Sequence, residues 1–459
     1  MSALRKPEAP LSFSGVVPSL CLKAGLGPPR TECGVGALMP WADRLWAVSY
    51  VSSRKSGVDT GLYEIDESLR MKKRPESVTG VFTNRFVHFP SNQLIIGPHV
   101  IDARRKVRTV KGLDMRICGT MTHLEHPETM VYMLGMEGEF FEMNVHTLKV
   151  KRLFDLVKLF KLPYVHFKAG YTGFGRVVVA DNSYGNEEFT GTRRAGLLAE
   201  WDGSKWTALE RTPFVEVTGR GGHVPIFATG WDRASALLKV FDNHTLRWST
   251  YRLPKASHAF DHMWSTEWPR IRETEHERFL MDCHGMFYEL PQWNYGGRCW
   301  GVRPISTHLW VMGDFCSFRG MLVLGADNAS AASDQNPLHG EPQSGLWFGK
   351  TDDLWQFGKP SGWGGPWWQT PVKAGKPSDP FLMTGFDRKC LHLANGSDRA
   401  AAFTVEVDFL GSGAWNTYAV IKTGAAGYAH HEFPAAFSAH WVRVTADRDC
   451  TATAQFHYT

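Results

Sequence analysis

No stretch of this 459-residue chain approaches the roughly 20 consecutive apolar residues of a membrane span. The first twenty residues, MSALRKPEAPLSFSGVVPSL, hold no apolar run of signal-peptide length. The eight cysteines, Cys21, Cys33, Cys118, Cys283, Cys299, Cys316, Cys390 and Cys450, include no CxxC pair, which excludes a zinc ribbon or a thioredoxin-like site. Helical periodicity is nearly absent. So are a Walker loop, a GxGxxG after a strand, HExxH and a nucleophile elbow. Strong charge of one sign is missing too: Lys plus Arg is 51, Asp plus Glu is 46, and the net charge is +5. An excess this small and scattered argues against nucleic acid as the main partner, and it suits an acidic substrate without demanding one. At 43% hydrophobic and 21% charged, the chain is not disordered.

What the sequence does have is glycine (45) and tryptophan (18). Indole rings supply packing volume to β-rich cores, and they also stack on sugar rings. Short apolar or alternating runs recur, bounded by Gly, Asp, Asn and Pro. A small residue followed by a strand opens at Gly61, Gly138, Gly196, Ser235, Gly285 and Gly345, with room for a further unit around Gln93 to Val100. Each such run follows a strongly apolar strand and precedes another strand-like run. A repeat of about 40–55 residues with four strands is the pattern of a β-propeller blade, and neither a WD nor a kelch signature accompanies it. The expected fold is all-β: a seven-bladed propeller over 35–370, an N-terminal segment 1–34, and a β-rich segment 371–459. Pro371 to Pro380 reads as a linker. The last segment forms either a small sandwich or strands that close the final blade.

Projecting these strands onto propeller geometry gathers certain side chains at one mouth of the ring. Loops between second and third strands bring His99, Asn182, Tyr184, Trp231 and His284. The starts of inner strands bring Asn84, Arg85, His166, Lys168, His258, His262 and His308. Imidazoles with Arg and Lys nearby, rather than a carboxylate pair, suit removal of the C5 proton of a uronic acid. A cation neutralises the sugar carboxylate, and a His or Tyr takes the proton. Glycoside hydrolysis instead wants two carboxylates about 5–9 Å apart. The acidic run Asp261, Glu267, Glu273, Glu275 and Glu277 reads as readily as a salt-bridged segment. His123-x-x-His126 and His258-x-x-x-His262 have metal-like spacings, but no helix places either pair on one face, and both read as coincidence.

Several longer segments carry a resemblance: Phe167 to Tyr184, Phe227-Ala-Thr-Gly-Trp231, Trp264-Ser-Thr-Glu-Trp-Pro-Arg-Ile-Arg272, Glu277 to Leu290, Gln343 to Trp355 and Ala439-His-Trp-Val-Arg443. With them the chain resembles, over most of 33–459, the seven-bladed propeller enzymes that remove terminal L-rhamnose from α-1,4-linked D-glucuronate on gum arabic and other arabinogalactan side chains. Some members of that family are lyases that leave an unsaturated glucuronate. Others are exo-α-L-rhamnosidases that depend on a histidine early in the chain. No histidine precedes His88 here, which favours the lyase.

The candidates for acid–base groups are His88 or His99, with His166 and His284. Arg176 and Arg220 would neutralise the carboxylate, with Lys168 in reserve, and Tyr184, Trp231 and His262 would hold the sugar. Arg176 lies inside a strand, where a cross-strand ion pair is the competing role. No ligand set is specific enough to name a metal; calcium is the candidate, as a structural or a carboxylate-binding ion. The expected partner is an acidic oligo- or polysaccharide, with no nucleic acid and no membrane, and the chain is expected to be a monomer. That substrate implies a secreted or periplasmic setting. A glycan-binding propeller without turnover is the alternative of a different class.

Overall fold

A computed structural model describes residues 13–23, 33–51, 60–113, 115–182, 195–258, 261, 266, 268–293, 297–326 and 343–459. Tyr184 and His262 lie outside the described residues. The chain is an all-β propeller built from four-stranded antiparallel sheets, seven of them among the described residues. In the first six sheets the strands neighbour one another in chain order, as successive hairpins dictate. The fourth sheet is Phe167–Gly173, Arg176–Asp181, Leu197–Trp201 and Trp206–Glu210. The fifth is Phe214–Thr218, Ile226–Trp231, Ala236–Asp242 and Arg247–Leu253. The sixth is Arg270–Glu275, Arg278–Cys283, Met286–Leu290 and Arg303–Thr307.

Burial explains why the middle strands read as continuous apolar runs. Ile226–Trp231 and Ala236–Asp242 are buried at every position, covered on both faces, whereas Arg247–Leu253 begins exposed and alternates. The strongly apolar strands that precede the repeated runs, Arg44–Val51, Met130–Gly135, Arg176–Asp181, Ile226–Trp231, Arg278–Cys283 and Met321–Ala326, are the second strands of their sheets.

The chain divides into two compact units. One comprises Met1–Ile117, Val145–Lys149 and Trp310–Gln356 and holds the first, second and seventh sheets. Its seventh sheet takes its fourth strand from the start of the chain: Gly15–Lys23 pairs antiparallel with Gln343–Gly349, from Gly15 opposite Phe348 to Lys23 opposite Gln343. Leu20 and Leu22 are buried by that pairing. The segment read from sequence as preceding the propeller therefore supplies one of its strands.

The other unit comprises Cys118–Asn144, Val150–Leu309 and Phe357–Thr459. Beyond the sixth sheet it carries two further sheets. Gly362–Val372, Cys450–Tyr458, Lys389–Asn395 and Tyr428–Glu432 form one of them. Phe381–Leu382, Trp441–Ala446, Ala401–Asp408 and Trp415–Thr423 form the other, which continues the fifth sheet through a parallel pairing of Arg252 with Phe381. Pro371 and Val372 end a strand rather than opening a linker. One apolar cluster runs from Phe227 and Leu238 of the fifth sheet, through Met281 and Tyr288 of the sixth, to Leu391, Phe403 and Phe456. Polar bonds reinforce it: Trp441 Nε1 donates to the Cys299 carbonyl at 2.8 Å, and Gly365 N donates to the Ala234 carbonyl at 2.9 Å. The fifth and sixth sheets and the C-terminal strands thus share a continuous core, and that core fixes the walls of the site described next.

Candidate functional site

The arrangement starts at a turn. Cys283 and Met286 pair across a two-residue connection, His284-Gly285, in which both residues have positive φ, 51° and 78°. This is the pattern of a type I′ hairpin, whose first position favours asparagine and whose second favours glycine. A histidine held there is unusual for a side chain of its size. Its backbone is anchored: the His284 carbonyl accepts from Ala256 N and Ser257 N, each at 3.2 Å, and the Gly285 carbonyl accepts from His308 N at 3.0 Å.

The His284 ring meets Trp231 edge to face, at 5.1 Å between centroids and 86°. Trp231 ends the second strand of the fifth sheet. Its N–H donates to the Pro213 carbonyl at 3.1 Å, and its carbonyl accepts from the Thr212 hydroxyl at 2.8 Å. Gly230 permits this approach, because a Cβ there would stand 2.0 Å from the Pro213 oxygen. On the other side of the histidine, Asp261 places Oδ1 3.7 Å from Nδ1. The second Asp261 oxygen accepts from Lys255 Nζ at 2.7 Å, and Lys255 also donates to the Asp232 carbonyl at 2.7 Å. Lys255, 1% exposed, is a buried cation matched by one carboxylate and one carbonyl, as a buried charge requires.

The connection between the fifth and sixth sheets carries a second cluster. Trp268 lies with Lys168 Nζ 4.2 Å from its ring centroid and the Arg270 guanidinium carbon 4.8 Å from it. All three side chains are buried. Lys168 and His166 come from the start of the fourth sheet, where His166 N donates to Asp181 Oδ1 at 2.6 Å and the His166 carbonyl accepts from Asn182 N at 3.1 Å. Asn182 is fully buried, and among the described residues neither of its side-chain polar atoms has a hydrogen-bond partner. In the sixth sheet, His308 Nε2 and Asp282 Oδ1 are 3.0 Å apart.

A groove of about 900 Å³ runs along the fifth sheet. Trp231, Asp232, Asp261, Trp367, Trp368 and Asp379 are among the residues that line it. Of the His284 cluster, Trp231 and Asp261 reach this groove, and His284 lies behind them. Arg252 spans the groove floor, bonded to Asp232 Oδ2 at 2.8 Å and Asp379 Oδ2 at 3.1 Å.

Of the residues read from sequence, the fold thus brings His284 and Trp231 into contact and sets His166 beside Lys168 in one sheet. Arg176 and Arg220 are elsewhere. Arg176 begins the strand that ends at Asp181, and Arg220 precedes the strand that ends at Trp231, so each lies at the far end of a six-residue strand, about 20 Å away. The Arg176 guanidinium bonds Glu200 Oε2 at 2.8 Å and covers the Phe241 ring at 4.2 Å. That is the cross-strand ion pair named above as the competing role. Arg220 is likewise engaged, 3.3 Å from Glu273 and bonded to Gln292 Oε1 at 3.2 Å. Glu273 and Glu277 face Arg220, so this part of the acidic run is a salt-bridged turn.

His88 and His99 belong to the other unit. His88 Nδ1 lies 2.6 Å from the Ser91 hydroxyl and accepts from Ser91 N, capping a short turn. His99 is fully buried, its Nδ1 3.0 Å from the Thr109 hydroxyl, and burial pushes its pKa down to about 4. His123 Nδ1 accepts from the amides of Glu125 and His126, so the His123/His126 spacing builds a turn. Among the described residues no group of three His, Cys, Asp or Glu side chains is placed to hold a metal ion. Among them, too, no helix is long and apolar enough to cross a membrane.

Lys255, Asp261 and Arg270 were not singled out by sequence as site residues. Asp261 was hidden in an acidic run, and Lys255 follows a proline with nothing to mark it. Arg270 and Trp268 do fall in the Trp264–Arg272 signature.

Neither protein-family models nor curated proteins contain a match to this chain. Among solved structures it is similar to the WD40 β-propeller domain of Doa1, at TM-score 0.43 and 10% identity over 75% of this chain and 100% of that one. The β-propeller domain of Myceliophteria thermophila Cps50 (Swd1) gives 0.41 and 10% over 68% and 96%. U3-55K gives 0.43 and 9% over 72% and 99%. Likenesses this slight bear on neither ligand nor activity.

Proposed function

We propose that this chain is a lyase that removes terminal L-rhamnose from α-1,4-linked D-glucuronate by β-elimination. The observation that carries the reading is the contact of His284 with Trp231 and Asp261, two residues that line a large groove. The substrate enters past Trp231 and Asp261, and the indole packs on a sugar ring. His284, oriented by Asp261 on its Nδ1 side, takes the C5 proton of the glucuronate. The C5–H electron pair forms the C4=C5 double bond, and the C4–O bond to rhamnose breaks. The departing oxygen collects a proton, so rhamnose leaves with that oxygen and the uronate remains unsaturated. Lys168 and Arg270 are the cations assigned to the carboxylate, whose neutralisation makes the C5 proton acidic enough to remove. They replace Arg176 and Arg220 in that role.

Incubation with gum arabic tests the reading. Release of rhamnose together with an ultraviolet-absorbing 4,5-unsaturated uronate supports it. Rhamnose without the chromophore assigns hydrolysis instead. Saturable binding without product at any pH assigns a glycan-binding propeller.

A further inference from the structure

One strand that lines the groove is deformed. Gly362–Val372 pairs with Cys450–Tyr458, but the register slips twice, between Gly364 and Trp367 and again between Trp367 and Thr370. Gln369, inside the second slip, has φ +48°, a left-handed backbone that a non-glycine residue seldom adopts within a strand. The distortion is held by hydrogen bonds: Trp368 N donates to the Thr370 hydroxyl at 3.1 Å, and Gln369 N to the Thr453 hydroxyl at 2.9 Å. Across it two adjacent indoles face opposite ways. Trp367 turns into the core and is 7% exposed, while Trp368 stands at the groove surface, 40% exposed. Bulges re-aim side chains in this way, and this one displays a large apolar ring that burial would otherwise claim.

Two exposed cations, Arg233 and Lys376, line the same groove, and among the described residues neither has an ion-pair partner. By contrast, Arg252 and Lys239, also on the lining, are tied to Asp232 and Glu210. The groove therefore offers an indole face and two uncommitted positive charges, apart from His284.

We propose that Trp368, Arg233 and Lys376 form an outer subsite for a second acidic sugar residue, further along the glycan than the one that reaches His284. Trp368 stacks on the pyranose ring, and the Arg233 fork with Lys376 takes the carboxylate. The proposal rests on the reading of the ligand as an acidic glycan, but it concerns binding of the polymer and not the elimination.

The test compares affinities for gum arabic polymer and for the rhamnosyl-glucuronate disaccharide, by calorimetry, in the full chain and in Trp368→Ala and Arg233→Ala/Lys376→Ala variants. Both changes are at exposed side chains, and Trp368→Phe keeps a stacking face as a control. The ratio of polymer to disaccharide affinity is expected to fall about tenfold in each alanine variant and to recover in part with phenylalanine. An unchanged ratio overturns the outer subsite even if unsaturated product forms. A reduced ratio without any product supports the subsite while overturning the lyase. Inorganic polyphosphate binding as tightly as the polymer, with no effect of Trp368→Ala, reduces the groove to a general anion site and overturns the sugar assignment.

Discussion

His284 sits where a β-hairpin ordinarily places asparagine, and the proposed elimination assigns it the role of base. His284→Gln keeps a polar side chain but removes the base. The rate of unsaturated product formation on gum arabic is expected to drop about 10²- to 10⁴-fold with the thermal midpoint little changed. Full activity in that variant would remove His284 from the mechanism. Arg176 is expected to behave oppositely. Arg176→Ala strands Glu200, 19% exposed, with Trp248 Nε1 as its remaining bond and strips the Phe241 face. The variant is expected to lose about 1–3 kcal/mol of stability, read by denaturant unfolding. At this scale the sequence marked Trp231, His284 and Lys168 correctly as neighbours of a strand end. It could not separate them from Arg176 and Arg220, because which end of a strand a residue occupies depends on where the strand starts, and a shift of a few residues moves a side chain across the sheet.

Among the elements, the N-terminal strand has the clearest consequence. It covers an edge formed by Leu346, Trp347 and Phe348, more than 300 residues later in the chain. Deleting residues 1–23 uncovers that edge and loses Leu20 and Leu22, each worth about 1.5–3 kcal/mol when buried. The truncated chain is expected to unfold several degrees lower and to aggregate, and a peptide of residues 13–23 added in excess is expected to restore part of the loss. No recovery with the peptide would mean that the strand is not held by its edge. The sequence offered this segment no partner, since strand pairing between chain ends leaves no local mark. A smaller element-level test is Gly230→Ala. The added Cβ collides with the Pro213 carbonyl, so Trp231 must shift, and quenching or blue-shifting of indole fluorescence would report it. Unaltered fluorescence and activity would show that the close approach does not position Trp231.

For the whole molecule, two buried imidazoles set the response to acid. Burial pushes His99 down to about 4, with Glu76 opposing, and pushes His440 down to about 4, with Asp408 opposing. Both are neutral in the folded chain at neutral pH, while an unfolded histidine takes its proton near 6.5. The unfolded state therefore binds more protons as pH falls from about 6.5 to 4, and stability is lost across that window. A thermal midpoint that falls as the pH is lowered through this range, with His99→Gln and His440→Gln each flattening the slope, is the expected result. A flat profile would show that these rings are not held neutral. The depressed carboxylates Asp66, Glu76 and Asp155 act lower, because their stabilising charge is lost only as pH drops below the ordinary carboxylate range.

The order of strands, their lengths and the repeat of four per sheet were legible in the sequence because they are set by local rules: alternation, apolar runs and turn residues a few positions apart. The β-rich character of the C-terminal segment was legible too, but not the strand Tyr428–Glu432 or the division into two sheets sharing a core with the fifth and sixth. The tertiary structure alone decided the rest. It joined Gly15–Lys23 to the seventh sheet, put Asp261, held by Lys255, against His284, and left Trp368 bare on a strand whose register slips twice. These are contacts between residues distant in the chain, made where desolvation forces buried charges to find partners, and nothing in the spacing of neighbouring residues encodes which partner each will meet.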